Sequence, residues 1–365
     1  MAKKYHIIIF GCQMNTSDAE RIASVLENLG YKKTEDLNSA DLITVVMCSV
    51  RKSAVDRVYG LIEKFKKLKN KPKKILTGCI LEKDKKNFAK FFNYIISIKE
   101  IKNIPHILKE NEHYIFNSNI LDDYNCDYLN IRPKHFFKKT AYVPIMTGCN
   151  NFCSYCVVPH TRGREISRLA KDIIYEVKNL VKNKTKEIWL LGQNVNSYKS
   201  DKINFPKLLK KVNDIEGNFI LNFTTSHPKD FSDELIKTMV KCKKLSMDLN
   251  LPIQSGDNEI LKKMNRPYTV EQYKNLVKKI KKALPNIRLS TDIIVGFPGE
   301  TKKQFNNTAK TIKEIGYGVA FINKYSPREG TVALKLKDNV SWEEKKRREK
   351  ILIDLINAKN KKYQK

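Results

Sequence analysis

Short apolar runs close on glycine, cysteine or polar turn residues and give way to stretches with apolar residues on one helical face, and they recur along most of this chain. Alternation of that kind builds a parallel sheet with helices on its faces, so the fold class is α/β. The first run, Tyr5–Phe10, ends at Gly11-Cys12; Asn15, Thr16, Ser17 and Asp18 offer N-caps, Ile22, Val25, Leu26 and Leu29 share one face, and Gly30 closes the helix. A second strand, Leu42 to Val46, ends at Cys48, and Ser49 is placed to cap the helix through Val55, Val58, Leu61, Ile62 and Phe65. A third, Lys74 to Thr77, ends at Gly78-Cys79. From Asn111 to Lys139 the composition turns to that of a linker, with Arg132-Pro133-Lys134 breaking any helix. Six further strands follow, at 142–146, 187–191, 219–223, 245–251, 287–295 and 318–325, with polar and glycine residues after their ends. These predict a partial (β/α)6 barrel whose site lies at the strand carboxyl ends. The expected divisions are 1–125, a linker at 126–139, a barrel at 140–340 and a basic helix at 341–365.

The cysteines fall into two sets. Cys149, Cys153 and Cys156 stand at the spacing C-x3-C-x2-C in one loop after a strand. Thiolates hold iron–sulfur clusters, and three can bind three corners of a cube and leave the fourth iron open. The same three with His160 also suit structural zinc, which prefers four protein ligands. Cys12, Cys48 and Cys79 each end a strand of the first sheet. In a parallel sheet those ends share the edge where ligands bind, so three distant residues meet there and can hold a second cluster. A buried cysteine is otherwise a small hydrophobe. Cys126 and Cys242 fit neither set and read as structural or incidental.

Charge narrows the partners. The chain carries a formal net charge of +31 at pH 7. An excess of this size attracts polyanions, so nucleic acid is the expected partner, although drift of surface residues toward lysine produces the same bias. No apolar run approaches the roughly twenty residues that span a bilayer, and Ile7 to Phe10 is too short for a signal peptide. The expectation is a cytoplasmic protein whose cysteines bind metal or serve catalysis.

Several stretches resemble one family. They are Gly11-Cys12-Gln13-Met14-Asn15, Cys48-Ser49-Val50-Arg51, Gly78-Cys79, Cys149 through Cys156 with Val157-Val158-Pro159, Thr161-Arg162-Gly163-Arg164-Glu165, Thr224-Thr225-Ser226-His227-Pro228 and Ser290 through Glu300. Together they resemble the radical S-adenosylmethionine (SAM) methylthiotransferases from about Tyr5 to about Thr331, and the run after Cys156 points to the subgroup that acts on N6-dimethylallyladenosine in tRNA. The resemblance implies a Rossmann-like N-terminal domain and a radical-SAM barrel. It implies two 4Fe-4S clusters, an auxiliary one on Cys12, Cys48 and Cys79 and a SAM-cleaving one on Cys149, Cys153 and Cys156. It implies that a methylthio group is added to C2 of the prenylated adenosine at position 37, next to the anticodon, with radical chemistry at one cluster and sulfur from the other.

The remaining site residues follow from that resemblance. Tyr155 is placed to contact the adenine of SAM, or simply packs the loop. Gly192, Gln193 and Asn194 let the backbone approach SAM or form a plain turn, Gln254 follows the fourth barrel strand, and Asp292 takes a ribose hydroxyl or satisfies the barrel backbone. No single acid or base is expected. Arg162, Arg164 and Arg168 meet phosphates or the SAM carboxylate, or stay merely exposed. The implied partners are the tRNA anticodon loop, a reducing electron-donor protein and sulfur- and cluster-supply proteins, with no membrane. Departures from the family pattern are Val46-Met47 before Cys48, His160 in place of a tyrosine, and an expected lack of the usual C-terminal RNA-binding β-domain. Lys345-Lys346-Arg347-Arg348 would then supply phosphate contacts instead. Alternatives are a sister enzyme acting on threonylcarbamoyl-adenosine in tRNA or on a ribosomal-protein aspartate, and a non-catalytic metal protein that binds RNA.

Overall fold

The computed structural model describes residues 2–110, 112–117 and 126–363. The expected boundary at residue 125 and part of the expected linker lie outside the described residues. Two compact units emerge: Met1–Asn150 with Val157–Glu176, and Asn151–Cys156 with Val177–Lys365.

In the first unit six parallel strands lie in the order Lys32–Lys33, Lys4–Ile9, Leu42–Cys48, Lys73–Cys79, Tyr94–Ile95, Tyr114–Ile115. Every residue of Leu42–Cys48 is buried, as a central strand covered on both faces must be. Ile43, Val45 and Met47 pack with Val58, Leu61 and Ile62 of helix Lys52–Lys66 and with Leu76, Phe88 and Phe92. Register places Cys48 directly beside Cys79.

Two capping expectations fail. Helix Gln13–Asn28 starts with Cys12 as its N-cap, so Asn15, Ser17 and Asp18 lie inside it, fully buried, rather than capping it. Leu29 of the expected apolar face is exposed, because the helix has already ended. Ser49 does not cap its helix either. The cap position belongs to Arg51, while Ser49 donates to the Asp84 carboxylate at 2.5 Å and accepts from the Leu81 amide.

The stretch with linker composition is packed where it is described. Tyr128 and Leu129 are buried, and the Arg21 guanidinium donates twice to the Leu129 carbonyl. Glu20 takes the amides of Lys134, through its carbonyl, and Phe136, through its carboxylate. An irregular backbone can lie against a core only with its polar groups matched, and the buried polar residues of helix Gln13–Asn28 do that here.

The second unit is built on the parallel strands Glu187–Leu191, Ile220–Phe223, Asp248–Asn250, Arg288–Val295 and Val319–Lys324. The strand expected at 245–251 is shorter, and Leu245 forms an isolated parallel bridge to Leu221. Helices start on strong local signals: Thr269 with Gln272 and Thr301 with Gln304 form capping boxes, and Ser232 and Asn204 cap with their side chains. Among the described residues no helix is long and apolar enough to cross a membrane.

The basic run at the C-terminal helix Trp342–Tyr363 does not present four free cations. Lys345 and Arg348 are buried, Lys345 against Asp338 and over the Tyr325 ring, Arg348 on Glu300 and Glu344. Arg347 pairs with Glu344 as well. Glu300 in turn accepts the Gly296 amide at 2.6 Å, so the helix braces the Gly296–Glu300 loop instead of offering a phosphate-binding row.

Candidate functional site

Two sets of thiols stand at the ends of strands, one described within each unit except for Cys149. In the first unit Cys48 and Cys79 are buried side by side at the carboxyl ends of adjacent strands, and Cys12 sits at the start of helix Gln13–Asn28 with its sulfur 3.8 Å from the Asn15 Oδ1. The Cys48 and Cys79 thiols hydrogen-bond to each other. That bond holds Cys48 below the ordinary thiol value, helped by the backbone amides of Val50 and Arg51, and holds Cys79 well above it, where burial acts in the same direction. Loading a metal on thiols releases their protons.

Arg162 completes this set. Its guanidinium is 1 % exposed, and its Nε donates to the Cys79 sulfur at 3.0 Å. The other nitrogens reach the Asp18 carboxylate at 2.6 Å and, at 3.4 Å each, the Tyr128 hydroxyl and Asn15 Oδ1. Burial disfavours its charge, but Asp18 and Cys79 outweigh that and push its pKa up. The phosphate role offered for Arg162 therefore does not hold, nor does it for Arg168, which is buried on the Pro144 carbonyl and Glu176. Arg164 is exposed.

The C-x3-C-x2-C loop is fixed by its backbone. Gly148 has φ +77°, and a Cβ there would sit 1.9 Å from the Arg164 carbonyl oxygen, so only glycine fits. The amide of buried Cys149 donates to the Gly163 carbonyl. Residues 151–156 pack with the second unit: the Ser154 hydroxyl donates to the Lys263 carbonyl at 2.7 Å, Asn265 holds the carbonyls of Asn151 and Phe152, and the Cys156 amide donates to the Cys153 carbonyl. Tyr155 packs against Ile260, Met264, Phe297, Tyr325 and Ala333.

Arg266, a residue the sequence did not single out, donates to the Cys153 sulfur at 3.5 Å. It is held by the Tyr268 hydroxyl at 2.8 Å and the Pro252 carbonyl at 2.9 Å, with its cation 5.1 Å from the Tyr268 ring centre. Despite burial, Tyr155 and Tyr268 keep its pKa raised.

Beyond the strand ends of the second unit the polar groups are under-satisfied. Gln193 Oε1, Asn194 Oδ1, the Asn196 amide, Ser226 Oγ and His227 Nε2 are buried without a partner among the described residues. His227 accepts the Lys229 amide at Nδ1, which puts its proton on the unpartnered Nε2. Burial, Arg266 and Lys229 lower its pKa to about 2, so the ring is neutral. Thr225 and Gln254 both hold φ +69°, strained for residues with a Cβ. The Gln254 amide donates to the Asp292 carbonyl, and the Asp292 carboxylate accepts from Asn250 at 3.1 Å. Gly192 is buried directly after strand Glu187–Leu191. Orphaned groups and strain at strand ends mark a place for a polar ligand.

The donor sets fit what the family chemistry asks for. Three sulfurs sit at the first site, two of them buried with a cation on one, and a guanidinium reaches a loop thiol at the second. No group of three or more His, Cys, Asp or Glu among the described residues is arranged to hold a single metal ion.

Comparison with known proteins agrees with this chemistry. Residues 143–312 match the model of the Radical SAM superfamily, and residues 4–98 match that of the uncharacterized protein family UPF0004. The chain is 43% identical over 380 residues to a tRNA-2-methylthio-N(6)-dimethylallyladenosine synthase of Clostridium botulinum (strain Langeland), covering 99% of this chain and 84% of that protein. It is 44% identical over 383 residues to the protein of the same name from Clostridium novyi (strain NT), with the same coverage. Among solved structures it resembles the radical S-adenosylmethionine methyltransferase TsrM from Kitasatospora setae, which has cobalamin and a 4Fe-4S cluster bound; the TM-score is 0.64 at 14% identity, over 92% of this chain and 77% of that one, a likeness of fold. Identity of this extent over nearly the whole sequence settles the family: the chain belongs to the radical SAM methylthiotransferases, among the tRNA-2-methylthio-N(6)-dimethylallyladenosine synthases.

Proposed function

We propose that this protein adds a methylthio group to C2 of N6-dimethylallyladenosine next to the anticodon of tRNA. The observation that carries the reading is the pairing of two thiol sets at strand carboxyl ends, each with a buried guanidinium on a sulfur, in a chain 43% identical to synthases of that name. Cys149, Cys153 and Cys156 hold the cluster that binds SAM, and Cys12, Cys48 and Cys79 hold the auxiliary cluster. When bound, these groups supply a radical from SAM and the sulfur that is transferred.

The protein's own part is positioning and exclusion of water. Gly148 sets the loop turn, Ser154 and Asn265 tie it to the second unit's helices, and Arg266 orients Cys153. Gly192, Gln193, Asn194, Gln254 and Asp292 form the SAM-facing wall, with Tyr155 behind the loop. No side chain is assigned as a lone acid or base. The target base lies in a single-stranded loop, so splaying it out costs little. The net charge of +31 favours the RNA. We further infer that a reducing protein supplies electrons, that cluster-assembly proteins replace the sulfur, and that the enzyme works in the cytoplasm. The functional divisions are 1–125, 126–139, 140–340 and 341–365.

Mass spectrometry of tRNA nucleosides from a strain lacking the gene tests the substrate. Loss of the 2-methylthio prenylated nucleoside is expected; loss of the threonylcarbamoyl derivative instead would assign the chain to the sister reaction. In vitro, Cys153→Ala abolishes SAM cleavage, whereas Cys48→Ala keeps cleavage and forms no methylthiolated product. Product from the Cys48 variant would remove the sulfur role from the first site.

A further inference from the structure

The cation at Cys79 is buried on the Cys79 sulfur and the Asp18 carboxylate. We propose that Arg162, with Asp18 as its counter-ion, sets the reduction potential of the cluster held by Cys12, Cys48 and Cys79. The inference rests on the reading of those three cysteines as ligands.

Arg21 on the same helix as Asp18 shows what a structural arginine looks like here. It is also fully buried, and it gives its donors to the Leu129 carbonyl and to the carbonyl and hydroxyl of Ser17. Arg162 directs its Nε to a sulfur instead, at 3.0 Å. Its position is over-determined by Asp18, Tyr128 and Asn15, so the donor cannot easily turn elsewhere. Hydrogen bonds to cluster sulfurs and the local net charge are what tune such potentials. Arg162 and Asp18 are both buried, and between them and the Cys79 sulfur a unit charge acts with little screening.

Arg162 and Asp18 act with opposite signs. The guanidinium favours the more negative, reduced cluster and raises the potential. The carboxylate, 2.6 Å from it, tempers that effect, and its Oδ1 is buried with no hydrogen-bond partner among the described residues. The pair is thus a setting rather than a maximum. Removing the two charges separately must move the potential in opposite directions, which loss of packing alone cannot do.

The experiment uses anaerobically reconstituted full-length protein, iron analysis and redox titration followed by electron paramagnetic resonance. Wild type, Cys48→Ala, Arg162→Gln, Arg162→Lys and Asp18→Asn are compared. Cys48→Ala removes one of two cluster signals and so identifies the auxiliary one. In Arg162→Gln the reduced-to-oxidised ratio of that cluster at a fixed potential falls roughly tenfold, equivalent to about 59 mV for one electron. Asp18→Asn shifts it upward, and Arg162→Lys stays nearer wild type than Arg162→Gln. The SAM-binding cluster does not move. If Arg162→Gln fails to take up iron, the upward shift in Asp18→Asn still decides. No shift, or shifts of the same sign in Arg162→Gln and Asp18→Asn, would overturn the proposal and leave the ligand reading standing. Equal iron content in wild type and Cys48→Ala would end both.

Discussion

Arg162 and Arg266 each aim a guanidinium at a cysteine sulfur, and the two are held in different ways. Arg162 is paired with a buried carboxylate at 2.6 Å, so the charge near Cys79 is close to balanced. Among the described residues Arg266 has no carboxylate as a hydrogen-bond partner; a tyrosine hydroxyl, a carbonyl and the face of an aromatic ring hold it. The first arrangement ties a cation into the architecture of its unit. The second leaves a net positive charge beside Cys153. The difference separates two settings of a buried arginine: in an ion pair its field is tempered and its removal strands a charge, and as a lone cation its field is untempered.

The largest expected effect follows from the pair. Arg162→Ala leaves Asp18 buried and uncompensated, and removing one partner of such a pair costs about 3–5 kcal/mol. Arg266→Ala loses hydrogen bonds to Tyr268, Pro252 and Cys153 and a ring contact but strands no carboxylate, which predicts a smaller loss than Arg162→Ala. Urea denaturation of both variants beside wild type measures the gap. Equal losses would mean that Asp18 is not the counter-ion the geometry makes it.

The same contrast explains what could be read from the residues. Strand ends were legible, because glycine and cysteine follow apolar runs at Gly11-Cys12, Cys48 and Gly78-Cys79. The ion pair was half legible. Stepping back from Ile22 at helical spacing, the buried stripe passes through Asp18 and Asn15, and a charge in phase with apolar residues signals a buried partner. Reading those residues as N-caps hid the signal, since asparagine, serine and aspartate favour caps wherever they occur near a helix start. The partner itself could not be found that way: Arg162 is 144 residues from Asp18, and no local rule reaches so far. Arg266 was harder still. It follows Asn265 in a turn with φ +56°, where an arginine reads as ordinary surface. The four-residue basic run at 345–348 failed for the opposite reason. Its cations look exposed in sequence, and acidic partners at 300, 338 and 344 neutralise three of them.

The unbalanced charge of Arg266 leads to the smallest of these effects, in pH dependence. His227 has a folded pKa lowered to about 2 from its ordinary 6.5, first by burial and then by Arg266 and Lys229. Below about pH 6.5 the unfolded chain binds a proton at this ring that the folded chain refuses. Stability therefore falls as pH drops through that value, by at most about 1.4 kcal/mol per pH unit, until the folded ring titrates too; above it the ring is neutral in both states and contributes no slope. Denaturation at pH 7.5 and pH 5 should show His227→Gln losing about 1–2 kcal/mol less than wild type over that interval. Arg266→Ala should recover a smaller part of the slope, because burial remains after the cation is gone. In the first unit Arg162→Lys, which keeps the charge beside its carboxylate, should leave the slope between those two pH values unchanged. A slope in Arg266→Ala identical to wild type would show that its charge is already cancelled, and the contrast between the two arginines would then be one of shape alone.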